Sequence, residues 1–132
     1  MAYKVSSLDD LGEGYGFRKV RAALGVTAFG VNGLIFPPGY DGPEHYHDTQ
    51  DELYFVHRGT ATFTLDGEEH LVGEGGLVHV ESTTPRRVTN AGDGDVVLLI
   101  VGGKGGYVER DGHVTSAAEL EKRKRIARGE IR

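Results

Sequence analysis

The apolar and polar positions alternate over short runs broken by turn residues, which is the pattern of strands rather than helices. Thr60-Ala61-Thr62-Phe63-Thr64-Leu65 alternates strictly, Asp66-Gly67 suits a two-residue hairpin turn, and Glu68 to Val72 returns. Glu74-Gly75-Gly76 turns again before a strand from Leu77 to Val80. Ser82 to Pro85 forms a loop, Arg87-Val88-Thr89 opens another strand, and Asn90-Ala91-Gly92-Asp93-Gly94 ends it. Asp95 to Val101 is apolar almost throughout, which predicts a strand buried on both faces. Upstream, Gly25 to Phe36 favours β structure and assigns Phe29 and Val31 to the core, with Asn32-Gly33 either turning a hairpin or lying within one long strand. Pro37-Pro38-Gly39 closes it, because neither proline can donate to a sheet ladder. Turn signals this frequent predict an all-β sandwich or closed barrel.

The two ends read differently. Residues 3–5 are expected to add an edge strand, Ser7 to Leu11 one helical turn, and Phe17 to Leu24 a half-exposed strand or turn. Near the other end, Ser116 and Glu119 form a capping box ahead of a helix from Leu120 to Arg128, with Gly129 as its stop. Its apolar face is thin, mainly Ala117, Leu120 and Ala127, and predicts a weak seat on the barrel or on a partner subunit. The expected organisation is an arm over 1–24, a barrel over 25–115 and a helical tail over 116–132.

Composition narrows the function classes. A chain of 132 residues builds one core, and its 21 glycines, without a repeat period, belong to turns. A formal charge of −5 opposes general affinity for nucleic acid. Residues 116–132 hold six basic and three acidic groups, as a solvated helix does. The absence of cysteine excludes disulfides, thiol catalysis and cysteine-bound zinc. There is no apolar leader, and the longest aliphatic run is Val96 to Val101, so neither a signal peptide nor a membrane span is expected and a cytoplasmic location follows by default. No phosphate-binding loop of the Walker type and no nucleophile elbow is present, and Gly102 to Gly106 reads as a flexible exit from the barrel.

The candidate chemistry lies between Gly39 and Gly59. His45 and His47 are two apart, so on a strand both imidazoles face the same side. Glu52 joins them only if the chain bends, and the polar run Asp48-Thr49-Gln50-Asp51 suits a bend. Two imidazoles and one carboxylate are a ligand set for a divalent metal. Tyr54 and Val56 share the parity of Glu52 and are expected to face the same interior; Tyr40 and Tyr46 flank the ligands, with Tyr46 assigned outward. His57 is expected to point away, His70 and His113 to be solvated, and His79 to be an ordinary strand histidine. Glu81 is the one further general-base candidate.

These residues resemble the first cupin motif, in which Gly39, His45, His47, Glu52 and Gly59 match every element. The second motif is matched at its ends by Gly75 and Asn90, but Glu81, Thr83 and Arg86 stand where it has Pro, Gly and His. The resemblance covers roughly residues 25–102 and implies a double-stranded β-helix, or jelly-roll barrel, often a homodimer, with a metal inside. Arginine has no lone pair to give, so Arg86 cannot be the fourth ligand. Two readings follow. In one, His45, His47 and Glu52 hold Fe, Mn, Ni or Zn with open positions, while Arg86, Tyr54 and Tyr40 bind a small anionic ligand such as a carboxylate. In the other, Arg86 pairs with Glu52 and the pocket is free of metal. The function classes left open are a metal-dependent oxygenase or isomerase/lyase, a small-ligand sensing module, and a structural dimer.

Overall fold

The computed structural model describes residues 2–131; Met1 and Arg132, the outermost ends of the expected arm and tail, lie outside the described residues. A single 3₁₀ turn, Asp9–Leu11, leads into β1 (Gly16–Arg18) and α1 (Val20–Leu24). The chain continues through β2 (Gly30–Phe36), β3 (His45–His47), β4 (Asp51–Arg58), β5 (Ala61–Leu65), β6 (Glu68–Val72), β7 (Leu77–Val80), β8 (Arg86–Thr89), β9 (Val96–Gly103), β10 (Gly112–Val114) and α2 (Ala117–Ala127). The strands form two five-stranded sheets, ordered β1-β2-β9-β4-β7 and β10-β3-β8-β5-β6. Their neighbouring strands are antiparallel. This is the expected all-β jelly-roll barrel with a C-terminal helix.

The strand pattern follows from parity. On β4, Tyr54 and Val56 are buried at 2% and 0% exposure while Leu53 is turned out. Phe36, Ala61, Phe63, Val96 and Leu98 complete the centre of the core, each worth roughly 1.5–3 kcal/mol of burial for the larger side chains. Asp66 and Gly67 both take positive φ, 51° and 82°, as a primed hairpin turn requires. Gly59 combines a φ of 79° with a Cα so close to the Asp95 carbonyl that any side chain would collide with it.

Several expectations are corrected. Residues 3–5 form no strand, and Tyr3 and Val5 are exposed; the edge position is taken by β1, whose Phe17 pairs with Leu34. Gly25 to Phe29 stay outside β2, and of the two readings of Asn32-Gly33 the one that places it within a strand holds. Phe29 is 43% exposed rather than core, whereas Val31 is buried. In β9 Val96 and Leu98 are buried and Ile100 on the same face is half-buried, while Val97 and Leu99 on the other face are only half-buried. β7 and β8 lie in different sheets, so Glu81 to Pro85 crosses the barrel from one to the other.

The helix α2 buries none of its residues. Ser116 caps it by accepting the Glu119 N–H, but Glu119 does not complete the box. Its carboxylate turns outward, accepting from the Arg87 guanidinium and from the Glu44 N–H. With Lys122 on Asp41, charge rather than apolar burial seats the helix.

Candidate metal centre

The site forms where the two sheets face each other. His45 and His47 lie on β3, Arg86 on the neighbouring β8, and Glu52 on β4 of the opposite sheet. The bend over Asp48 to Gln50 carries the chain from one sheet to the other, which is how a glutamate of the wrong parity reaches the histidines. His45, His47 and Glu52 offer ligand atoms that all lie within 4.8 Å of one another.

The hydrogen bonds determine which atoms face inward. The Asp111 carboxylate can only accept, so the 2.8 Å contact with His47 Nδ1 places a proton on that nitrogen. His47 Nε2 is then the lone-pair nitrogen of the neutral ring. It is buried without a hydrogen-bond partner, 3.1 Å from Glu52 Oε1. His45 is arranged similarly, with Nδ1 at 3.4 Å from the Pro43 carbonyl and Nε2 at 3.9 Å from Glu52 Oε1. Adjacent ligands on a cation with bonds of about 2.1 Å stand about 3 Å apart, so the His47–Glu52 separation fits a shared ion. The orphaned Nε2 is what the residues themselves offer in favour of a metal.

The Glu52 oxygen that faces the histidines is also the one that its neighbours hold. Its Oε1 accepts from the Tyr54 hydroxyl at 2.7 Å and from Arg86 Nη1 at 2.9 Å. Burial pushes the Glu52 carboxyl up, but the nearby imidazoles of His45 and His47 and the Tyr54 hydroxyl prevail and hold it well below the usual carboxylate range. Burial also drives the Tyr54 hydroxyl well above its ordinary value, with Glu52 adding to the rise, so Tyr54 stays a donor. For His47, burial favours the neutral ring, yet the carboxylates of Glu52 and Asp111 outweigh it and raise its pKa.

Arg86 is fully buried. Besides Glu52 it donates from Nη2 to the carbonyls of Glu81, Ser82 and Thr84, at 2.9, 2.6 and 2.9 Å, and from Nε to Thr84 at 3.1 Å. Tyr40 packs on Phe36, ring centroids 4.5 Å apart, and burial raises its hydroxyl to about 12, with Asp41 adding to the rise. His79 is exposed opposite Leu53 on the outer face of its sheet, and His57 and Glu81 are exposed. His113 is half-exposed on Asp48 and stacks on Tyr46.

Sequence reasoning missed Asp111. It stands sixty-four positions from His47, in a segment without strand periodicity, and its only mark is an Asp-Gly pair.

A family model described as the cupin domain matches residues 34–102. An uncharacterized protein of Methanocaldococcus jannaschii is 31% identical over 65 residues, which is 49% of this chain and 52% of that protein. Among solved structures, a sugar phosphate isomerase from a cupin superfamily of Silicibacter pomeroyi superposes with a TM-score of 0.62 at 27% identity, covering 67% of this chain and 58% of its own. A cupin protein from Bacteroides fragilis, at 22% identity and a TM-score of 0.69, covers 83% and 91% and shares the fold. The chain thus spans about half the length of the archaeal relative and under two thirds of the isomerase.

Proposed function

We propose, given that this chain belongs to the cupin domain family, that it binds one divalent metal through His45, His47 and Glu52 and presents it to a small oxyanion-bearing molecule. One observation carries the reading: a buried imidazole lone pair at His47 Nε2 faces a carboxylate that has no proton to give it. Two imidazoles and a carboxylate suit Fe, Mn, Ni or Zn, any of which would supply Lewis acidity toward a carbonyl, hydroxyl or carboxylate oxygen. His45 and His47 donate nitrogen, Glu52 supplies the negative charge, and Tyr54 and Arg86 hold that carboxylate in place. Three protein ligands leave positions open for a small molecule. The likeness to a sugar phosphate isomerase supports a hydroxylated anion as its class. Arg86 spends its donors on protein acceptors, so the anion's attraction is assigned to the metal.

Metal analysis of untagged protein purified without chelators tests this. At least half an equivalent per chain is the expected result, and less than about a tenth, with none gained on adding Fe, Mn, Ni or Zn, overturns it. The Arg86–Glu52 bond favours a second reading, a metal-free pocket that binds a small ligand directly. Under that reading chelation leaves ligand binding unchanged; under the first it abolishes it.

A further inference from the structure

The segment that touches His47 from outside lies beyond the residues matched by the family model. β10 pairs with β3 so that Gly112 stands opposite His47. Asp111, just before it, turns its carboxylate inward and accepts four hydrogen bonds. Oδ1 takes His47 Nδ1 at 2.8 Å and Gln50 Nε2 at 2.6 Å; Oδ2 takes the backbone N–H groups of Thr49 at 2.7 Å and Gln50 at 3.0 Å. A carboxylate with four donors on it has a fixed orientation, so its hold on the imidazole is fixed as well.

Gly112 adds a steric constraint. A Cβ built there would lie 3.2 Å from His47 Cε1, tighter than ordinary contact, and 3.5 Å from Nδ1, in ordinary contact. Its backbone does not need glycine, since it is not among the residues of positive φ. What matters is the missing side chain, which lets the ring lie against the strand. The segment is anchored on its far side: Thr115 donates its N–H to the Glu44 carbonyl and its hydroxyl to Glu44 Oε1, and Glu119 grips Arg87.

We propose that Asp111 and Gly112 are positioning residues that set the metal affinity of the site. Asp111 holds His47 in the Nδ1–H tautomer, which leaves Nε2 as the donor, and Gly112 sets the plane of the ring. The proposal rests on the metal reading of His45, His47 and Glu52. A hydrogen bond from the non-ligating nitrogen of a metal-bound histidine to a carboxylate raises its basicity and fixes its aim, and losing that partner costs about ten- to a hundredfold in affinity. A purely structural Asp111 would hold only the Thr49–Gln50 bend and would leave the tautomer alone.

The test uses the full chain as wild type, Asp111→Asn and Gly112→Ala. ¹⁵N NMR of histidine-labelled, metal-free protein at about pH 8 reads the tautomer, and Co(II) titration by absorbance reads affinity. In the wild type His47 is expected as Nδ1–H. Asp111→Asn is expected to mix the tautomers and weaken Co(II) binding about ten- to a hundredfold. Gly112→Ala is expected to keep the tautomer and weaken binding about tenfold through a displaced ring. A wild-type His47 in the Nε2–H form overturns the proposal whatever the variants do, and so does affinity within about threefold of wild type in both variants. If Asp111→Asn does not fold, the wild-type tautomer and Gly112→Ala decide. Wild-type protein that takes up no Co(II) overturns the metal reading and this one with it, while Nδ1–H with tight Co(II) and indifferent variants overturns this one alone.

Discussion

Replacing Arg86 with methionine removes a fully buried cation and leaves its surroundings to readjust. The guanidinium bonds Glu52 and the carbonyls of Glu81, Ser82 and Thr84, so two separate losses arise. The carbonyls belong to a half-exposed loop, where water can replace the lost donors at small cost. Glu52 is different, because its side chain is only 12% exposed and water reaches it poorly. Breaking a buried pair by removing one member costs about 3–5 kcal/mol. Tyr54 still donates to the same oxygen, which sets the expected loss near the lower end, about 3 kcal/mol. In a chain of 132 residues that lowers the melting temperature by roughly 10–15 °C. Urea unfolding in EDTA, followed by circular dichroism, measures it, with an unchanged denaturant slope expected. A dication should restore much of the loss, since it neutralises Glu52 where Arg86 no longer does. A metal-free loss under about 1 kcal/mol would refute the assignment of Arg86 as a stabilising buried partner of Glu52.

Three further outcomes are expected. His47→Ala should drop bound metal below about a tenth of an equivalent while the metal-free melting temperature moves by less than about 5 °C; retained metal would place the centre elsewhere. Leu98→Ala, at a side chain with 0% exposure between the sheets, should cost about 2–5 kcal/mol by denaturant titration, and a loss under about 1 kcal/mol would contradict its place in the core. The attachment of β10 and α2 should depend on acid in a stated direction. Burial pushes the Asp111 and Glu119 carboxyls up, but hydrogen bonds from Gln50 and Thr49 to the first, and from Arg87 and the Glu44 N–H to the second, leave both below their ordinary 3.8 and 4.5. Their contribution is therefore complete above those ordinary values and is lost as pH falls through the depressed folded ones. Hydrogen exchange should show β10 and α2 protected at about pH 5 and opening in stronger acid; opening already between about pH 7 and 5 would contradict the sign.

Much of the barrel was legible because local chemistry decides it. Asp66-Gly67 is a turn in almost any context, and the alternation around Phe63 and Tyr54 has only one face to bury. What was not legible depended on which sheet a strand joins. Leu77 to Val80 and Arg86 to Thr89 read as neighbours along the chain, yet they pair with β4 and β5 on opposite sides of the core. The N-terminal edge is a similar case. Tyr3 to Val5 has strand-forming residues, but β2 has one free edge and Gly16 to Arg18 occupies it.

The site shows the same division more sharply. His45, His47 and Glu52 could be grouped from spacing because a bend and a resemblance both pointed to one centre. The environment that gives each donor its state came from elsewhere in the chain. Arg86 was visible as a misfit in a motif, but its role turns on carbonyls, which every residue carries and no sequence pattern marks. Because those carbonyls hold it with or without Glu52, its charge is a fixed part of the centre. A fixed cation beside the carboxylate subtracts from the site's attraction for a dication. Asp111 acts in the opposite sense, adding negative charge behind His47 and freeing Nε2 to donate. On the metal reading, then, affinity is set by the balance of two residues that are not ligands. Arg86→His tests that balance directly: it removes the opposing charge and adds a donor, so metal should be retained more tightly, while the metal-free protein loses the loop anchor and melts earlier. Unchanged metal affinity in that variant would show that Arg86 has no influence on the centre.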